Sequence, residues 1–183
     1  MSGKTSFIRT LGINAVTGLT LNTCFAKSFL LPRVGISTAI RISDDLLNDK
    51  SYYFEEVLTI LDMIQAGKSG KKHLLLLDEI YKGTNTIERI SAGKAVLSYL
   101  ADSGNIVFVS THDIELADLL SGEYSLYHFS EVVNDKTVAF DYRLKKGKLT
   151  NRNAIKILAI NNTPASVISE AIKISKSLYE DSI

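Results

Sequence analysis

The run His73-Leu74-Leu75-Leu76-Leu77-Asp78 narrows the folds open to this chain more than any other stretch. Strands that face water on one side alternate apolar and polar residues. Four leucines in a row, closed by an acid, instead suit a central parallel strand covered on both faces. Asn105-Ile106-Val107-Phe108-Val109-Ser110 predicts a second buried strand, and Ser37-Thr38-Ala39-Ile40-Arg41-Ile42 alternates as a strand does. Helical spacing fills the intervals. Residues 4–21 carry Phe7, Ile8, Leu11, Ala15, Val16 and Leu19 at helical positions, and residues 53–66 carry Phe54, Val57, Leu58, Leu61 and Ile64 on one side. Residues 86–101 predict a further helix and 113–120 a short one. Helices alternating with buried strands define an α/β domain with a mainly parallel sheet.

The remaining third reads differently. Residues 124–130 and 136–144 are alternating β segments, joined by the hairpin signal Val133-Asn134-Asp135-Lys136. Residues 153–159 and 165–178 predict two helices, with Thr163 as cap and Pro164 at the first position of the second. Pro32 marks residues 23–35 as loop or strand edge. Gly67-Lys68-Ser69-Gly70-Lys71-Lys72 is a solvated turn, its charges a linker face rather than a binding patch. No internal repeat is evident.

A chain of 183 residues suffices for one domain with a sizeable core. The formal net charge of +1 excludes a global basic footprint of the kind nucleic-acid binders carry. Cys24, the single cysteine, excludes an internal disulfide and a cysteine-based metal site. It reads as a small buried hydrophobe in a reducing compartment. No apolar run approaches the roughly 20 residues of a membrane span, and the first residues lack a signal-peptide stretch. A cytoplasmic protein without membrane contact is the expectation.

Three motifs carry chemistry. Met1-Ser2-Gly3-Lys4-Thr5 fits the second half of a phosphate-binding P-loop, G-x-x-x-x-G-K-[ST]. Gly3 lets backbone approach a phosphate, Lys4 offers a charge to the β/γ-phosphates, and Thr5 offers a hydroxyl to Mg²⁺. The helix that follows aims its N-terminus at the same anion, so Met1, Ser2, Gly3, Lys4, Thr5 and Ser6 are candidate nucleotide-binding residues. Leu74 to Glu79 is a Walker B pattern: Asp78 would hold Mg²⁺, directly or through water, and Glu79 would polarise the attacking water. Ser110-Thr111-His112-Asp113 follows another apolar strand, which sets His112 in the crevice that Asp78 faces, within reach of a γ-phosphate or the water. Two further segments stay open. Lys82-Gly83-Thr84-Asn85-Thr86 reads equally as a subunit-interface loop or a helix-capping loop with Thr84 or Thr86 as the cap. In Ser51-Tyr52-Tyr53-Phe54-Glu55-Glu56, Ser51 is a cap site by default, and Glu55 and Glu56 lie in a first turn, where the helix dipole favours acids.

In order and spacing these motifs resemble the ATPase domain of the MutS family, a branch of the ABC-type ATPases, over nearly the whole chain. The family's G-P-N-M-x-G-K-[ST] is matched in its second half by Met1 to Thr5. Its acid-rich segment and S-T-F-x-x-E helix resemble Asp44-Asp45-Leu46 and Ser51 to Glu56. Its D-E-x-x-x-G-T-x-T resembles Asp78 to Thr86, and its T-H resembles Thr111-His112. The resemblance implies a P-loop NTPase fold of the ABC type with a mainly parallel central sheet, a β-hairpin and a C-terminal helix-turn-helix. Residues 1–150 would be the ATPase domain, lacking the first part of the P-loop and its preceding strand, and 151–183 a helical dimerisation segment. ATP and Mg²⁺ are the implied ligands, with Thr5 and Asp78 on the metal and Glu79 and His112 catalytic. Two copies would pair head to tail, Ser51 reaching the γ-phosphate held by the partner and loop 83–86 crossing the interface. ATP turnover would then switch DNA-clamping parts that lie in regions absent from this chain.

Three departures point to a divergent MutS-related paralogue. Tyr52 stands for the family's usual Thr, Tyr81-Lys82 for a commoner Gly-Arg, and residues 148–153 lack the usual Ser-Tyr-Gly. Two other readings compete. One is an SMC-type ATPase head, opposed by the G-T-x-T loop and the missing L-S-G-G-Q motif. The other is a dimerisation module without hydrolysis of its own, since the shortened P-loop predicts weak or no ATP binding by these 183 residues alone.

Overall fold

The computed structural model describes residues 3–40, 52–68, 70–133, 137–149, 153–161 and 163–180. Met1, Ser2, Asp44, Asp45, Leu46, Ser51 and the predicted hairpin turn at 134–136 lie outside the described residues. The chain divides into two compact units, one ending at Leu126 and the other starting at Tyr127.

The first unit is built on a three-stranded parallel sheet in the order β1 (Gly35–Ala39), β2 (His73–Asp78), β3 (Ile106–Ser110). Its helices are α1 (Lys4–Leu21), α2 (Tyr52–Gly67), α3 (Thr86–Asp102) and α4 (Ile114–Leu119). The four leucines of β2 alternate between two cores. Leu74 and Leu76 pack with Ile8 and Ala15 on the α1 face, while Leu75 and Leu77 pack with Ile60, Met63, Leu97 and Leu116 on the α2, α3 and α4 face. This explains the unbroken apolar run: neither face of β2 sees water. Burying each leucine contributes about 1.5–3 kcal/mol. Gly12 brings α1 onto the sheet, since a Cβ there would lie 3.0 Å from Leu76 Cδ1.

Three expectations are corrected. The first strand runs Gly35–Ala39 rather than from Ser37, because Gly35 opens the ladder opposite His73 and leaves room for its imidazole; a Cβ at Gly35 would sit 2.5 Å from His73 Cε1. β3 is not buried throughout: it pairs only with β2 among the described residues, and Phe108 is 36% exposed. Cys24 is only partly buried, and its Sγ donates to the Ala26 carbonyl.

The second unit holds β4 (Tyr127–His128), β5 (Glu131–Val133), β6 (Val138–Phe140), β7 (Lys145–Lys146), α5 (Ala154–Ile160) and α6 (Ala165–Glu180). The predicted hairpin forms as two nested antiparallel pairs, β5 with β6 and β4 with β7, with its first arm running from Tyr127 to Val133 rather than over 124–130. Between them the register slips, because 129–130 on one side oppose 141–144 on the other. The longer side bends through Tyr142 at φ 51°, beside Asp141, whose Oδ1 accepts the Arg143 N–H at 3.1 Å. α5 packs against α6. The Pro164 carbonyl accepts from the Val167 and Ile168 N–H groups, so Pro164 stands one place ahead of α6 rather than at its first position.

Candidate active site

The parallel register puts Asp78, the last residue of β2, directly beside Ser110, the last of β3. Ser110 is buried, and its Oγ donates to Asp78 Oδ1. The Glu79 N–H donates to the Ser110 carbonyl at 3.0 Å, locking the strand ends together. The chain then turns sharply. Glu79 at φ 57° and Tyr81 at φ 61° both occupy the left-handed region, a cost of about 1–3 kcal/mol each for residues with side chains.

Glu56 holds that turn. Its Oε1 accepts the Tyr81 N–H. Sequence spacing assigned Glu56 to a dipole-favoured first turn; it is instead 4% exposed and turned inward, leaving only Glu55 as a first-turn acid of α2. Burial raises the Glu56 carboxyl above its ordinary range, opposed by the Tyr81 N–H and the Lys82 ammonium. Burial also pushes the Tyr81 phenol up to about 12, helped by Tyr53 and Glu56. The Tyr53 and Tyr81 rings lie 5.9 Å apart, and a Cβ at Gly83 would come within 3.0 Å of Tyr53 Cβ. The start of α2 is thereby seamed to the loop after β2.

From this turn the Glu79 carboxylate ion-pairs with Lys82 and meets His112 Nε2. On the other side of the ring, Lys4 Nζ lies 3.0 Å from His112 Nδ1. A neutral imidazole protonated at Nε2 satisfies both contacts, accepting from Lys4 and donating to Glu79. Lys4 opens α1 behind Gly3, whose φ of 102° suits a residue without a Cβ. Thr5 and Ser6 follow in the first turn, where helix N–H groups have no intrahelical acceptors.

A cleft of about 390 Å³ opens here, lined by Glu79, Lys82, Arg89, Thr111, His112 and Asp113. Arg89 and Asp113 form a forked pair across it: Nε donates to Oδ2 at 2.9 Å and an η-nitrogen to Oδ1 at 2.8 Å. The Arg89 guanidinium beside Asp113 holds that carboxyl below its usual range. Thr84 and Thr86 are not the cap of α3. Asn85 is: its Oδ1 accepts the Glu88 N–H at 3.0 Å, while Thr84 Oγ1 donates to Glu88 Oε2 at 2.7 Å.

Of the residues singled out by sequence, the structure brings Lys4 against His112 and His112 against Glu79, with Asp78 adjoining Glu79 at the strand end. Gly3, Thr5 and Ser6 sit at the start of α1 beside Lys4. Met1, Ser2 and Ser51 lie outside the described residues. Among the described residues no three acidic, histidine or cysteine side chains gather into an all-protein metal cage. Sequence reading gave no role to Ser110, Arg89 or Asp113. The strand register was the available signal for Ser110; Arg89 and Asp113 are 24 residues apart and share no local pattern.

Fold and site together define a mixed α/β domain whose small parallel sheet presents a lysine, a pair of acids and a histidine at its carboxyl edge. The chain belongs to the MutS family: MutS domain V matches residues 1–179. It is 31% identical over 183 residues to the DNA mismatch repair protein MutS of Aquifex pyrophilus, covering 97% of this chain and 21% of that protein. It is 29% identical over 192 residues to the DNA mismatch repair protein MSH3 of Saccharomyces cerevisiae, covering all of this chain and 19% of that protein. The MutS protein of Listeria monocytogenes is 30% identical over 188 residues, at 99% and 21% coverage. The chain thus spans about a fifth of the length of these relatives. Among the described residues no helix is long and apolar enough to cross a membrane.

Proposed function

We propose that this chain is the ATP-binding and hydrolysing domain of a MutS-type DNA mismatch repair protein, built as an ABC-type P-loop NTPase. The observation that carries the reading is the contact chain Lys4, His112, Glu79 at the carboxyl edge of the sheet. Lys4 and His112 are 108 residues apart in sequence, and His112 in turn meets the acid that follows the buried strand. Ligands of open α/β sheets bind at this edge. The names of the relatives support mismatch repair as the process.

In this reading Met1 to Ser6 cradle the phosphates, and the Lys4 ammonium moves from His112 to the β/γ-phosphates of the triphosphate that competes for it. Asp78 and the Thr5 hydroxyl would hold Mg²⁺. Both are hard oxygen donors, and so few protein ligands suit an ion that keeps waters and phosphate in its shell. When bound, Mg²⁺ neutralises phosphate charge. Ser110 keeps Asp78 oriented. Glu79 takes the proton of the attacking water as its oxygen bonds to the γ-phosphorus and the bond to the ADP oxygen breaks. His112, through Nε2–H, steadies the γ-phosphoryl oxygens. Residues 1–150 form the ATPase domain, and 151–183 the helical dimerisation segment. Ser51 and loop 83–86 reach the partner's nucleotide in a head-to-tail homodimer, and DNA is held by parts of the protein outside this chain.

The test is steady-state ATP turnover with Mg²⁺ by the full-length protein and its Glu79→Gln variant. Loss of a positioned general base lowers kcat by roughly 10²- to 10⁴-fold. Wild-type turnover by Glu79→Gln would remove Glu79 from the chemistry, and absence of turnover in the wild type would reduce the domain to a dimerisation module.

A further inference from the structure

We propose that Arg89 and Asp113 are positioning residues: their forked pair clasps the His112 loop to the start of α3 and so sets the imidazole against Glu79. The inference rests on the ATP-hydrolysis reading above and adds to it two residues that the sequence motifs gave no role.

His112 has little to hold it by packing, since its side chain is 70% exposed. Its place is set by its contacts with Lys4 and Glu79 and by the backbone of loop 111–113. That backbone is anchored through Asp113. An aspartate at a helix N-cap ordinarily accepts a first-turn N–H. Asp113 is the N-cap of α4 and makes no such bond. Both its oxygens instead receive Arg89, at 2.9 and 2.8 Å, while its own N–H donates to Thr111 Oγ1 at 3.0 Å, closing the turn around His112. Arg89 is fixed in turn from the loop before α3 and from its first residue: an η-nitrogen reaches the Thr84 carbonyl at 3.5 Å, and the other Thr86 Oγ1 at 3.4 Å. The pair is sheltered, its side chains 21% and 16% exposed. A planar fork on a carboxylate fixes angle as well as distance, which a lysine cannot do. The pair has a second consequence: the Asp113 carboxylate lines the cleft beside His112, and Arg89 neutralises it there.

A merely structural pair would tie α3 to α4 and act independently of His112. A positioning pair acts through it, so the effects on turnover must not multiply. The experiment measures kcat and KM for ATP in the full-length protein for wild type, Arg89→Met, Arg89→Lys, Asp113→Asn, His112→Ala and Arg89→Met/His112→Ala, with a melting curve for each. The expected result is a kcat loss of roughly 10- to 100-fold for Arg89→Met, the scale that misplacement of a catalytic group causes. Arg89→Lys should recover little of it, and the double variant should be no slower than His112→Ala alone. Multiplying losses, or an unchanged kcat in Arg89→Met, overturn the proposal; if Arg89→Met does not fold, Arg89→Lys and Asp113→Asn decide it by the same comparison. A wild type without turnover sinks the hydrolysis reading instead, and the clasp is then judged by NMR. The His112 Nε2–H resonance, visible when Glu79 holds it, should vanish in Arg89→Lys; its persistence overturns the clasp.

Discussion

At the scale of single residues, Glu56 shows how a buried carboxylate shapes a site it does not enter. It tethers the left-handed turn at Tyr81 and so fixes where Glu79 leaves the strand. Burial raises its folded-state carboxyl above the ordinary value of 4.5. The acid form is thus favoured in the fold. Its contribution to stability is full below 4.5 and is lost as pH rises through the folded-state value. Glu56→Gln keeps an acceptor for the Tyr81 N–H and cannot ionise. The variant's melting temperature, relative to wild type, should therefore climb as pH rises from 4.5 and then level off, as thermal melts across that range would record. A gap that stays constant with pH would show that Glu56 titrates in the fold as it does in the unfolded chain. Asp113 has the opposite sign. Arg89 lowers its folded value below 3.8, so its contribution is present above 3.8 and fades as pH falls through the folded value. Asp113→Asn should flatten that acid limb.

At the scale of elements, what was legible in the sequence is what repeats locally. β2 was legible to the residue, because four leucines between His73 and Asp78 have only one way to be buried on two faces. The end of β2 then located Asp78 and Glu79, and the end of β3 located His112. α1 was legible from its spacing alone. Less legible were features decided by an opposing element: the start of β1, set by the fit of Gly35 to His73, and the register slip of the hairpin, set by Asp141 and Tyr142. The contacts of Glu56 with Tyr81 and of Arg89 with Asp113 join positions 25 and 24 apart, which no periodicity encodes. The seam between α2 and loop 79–83 is the element-scale feature to probe. A Cβ at Gly83 meets Tyr53 Cβ at 3.0 Å and its Cα at 3.6 Å, atoms that no rotamer change can move. Gly83→Val should therefore part loop and helix, costing about 1–3 kcal/mol by overpacking and lowering turnover by displacing Glu79. A denaturant midpoint equal to wild type would show that the seam yields freely. Asn85→Ala is the milder counterpart, removing the α3 cap at a cost of about 1 kcal/mol.

At the scale of the whole molecule, the proposed homodimer gives the C-terminal helices a purpose that their exposure supports. On α6, Ile168, Ala171 and Ser175 are the more sheltered positions, at helical spacing. Val167 and Ile174 are 50% and 52% exposed and lie seven residues apart, hence on one stripe. β-Branched apolar side chains repeated at that interval on a helix of 16 residues are poorly placed facing water. If this stripe joins two copies, a charge at each position removes self-association through substitutions in the second unit, while Lys4, Glu79 and His112 belong to the first. Val167→Glu/Ile174→Glu should then sediment as a monomer at concentrations where wild type is dimeric. ATP turnover should fall with it, since the proposed site takes Ser51 from the partner, and Glu79→Gln should add little to a protein already unable to pair. Nucleotide binding, which draws on the P-loop of one copy, should persist in the monomer. A double variant that still sediments as a dimer would place the self-association surface elsewhere. A monomer with undiminished turnover would leave the site complete within one copy and remove the head-to-tail arrangement from the mechanism.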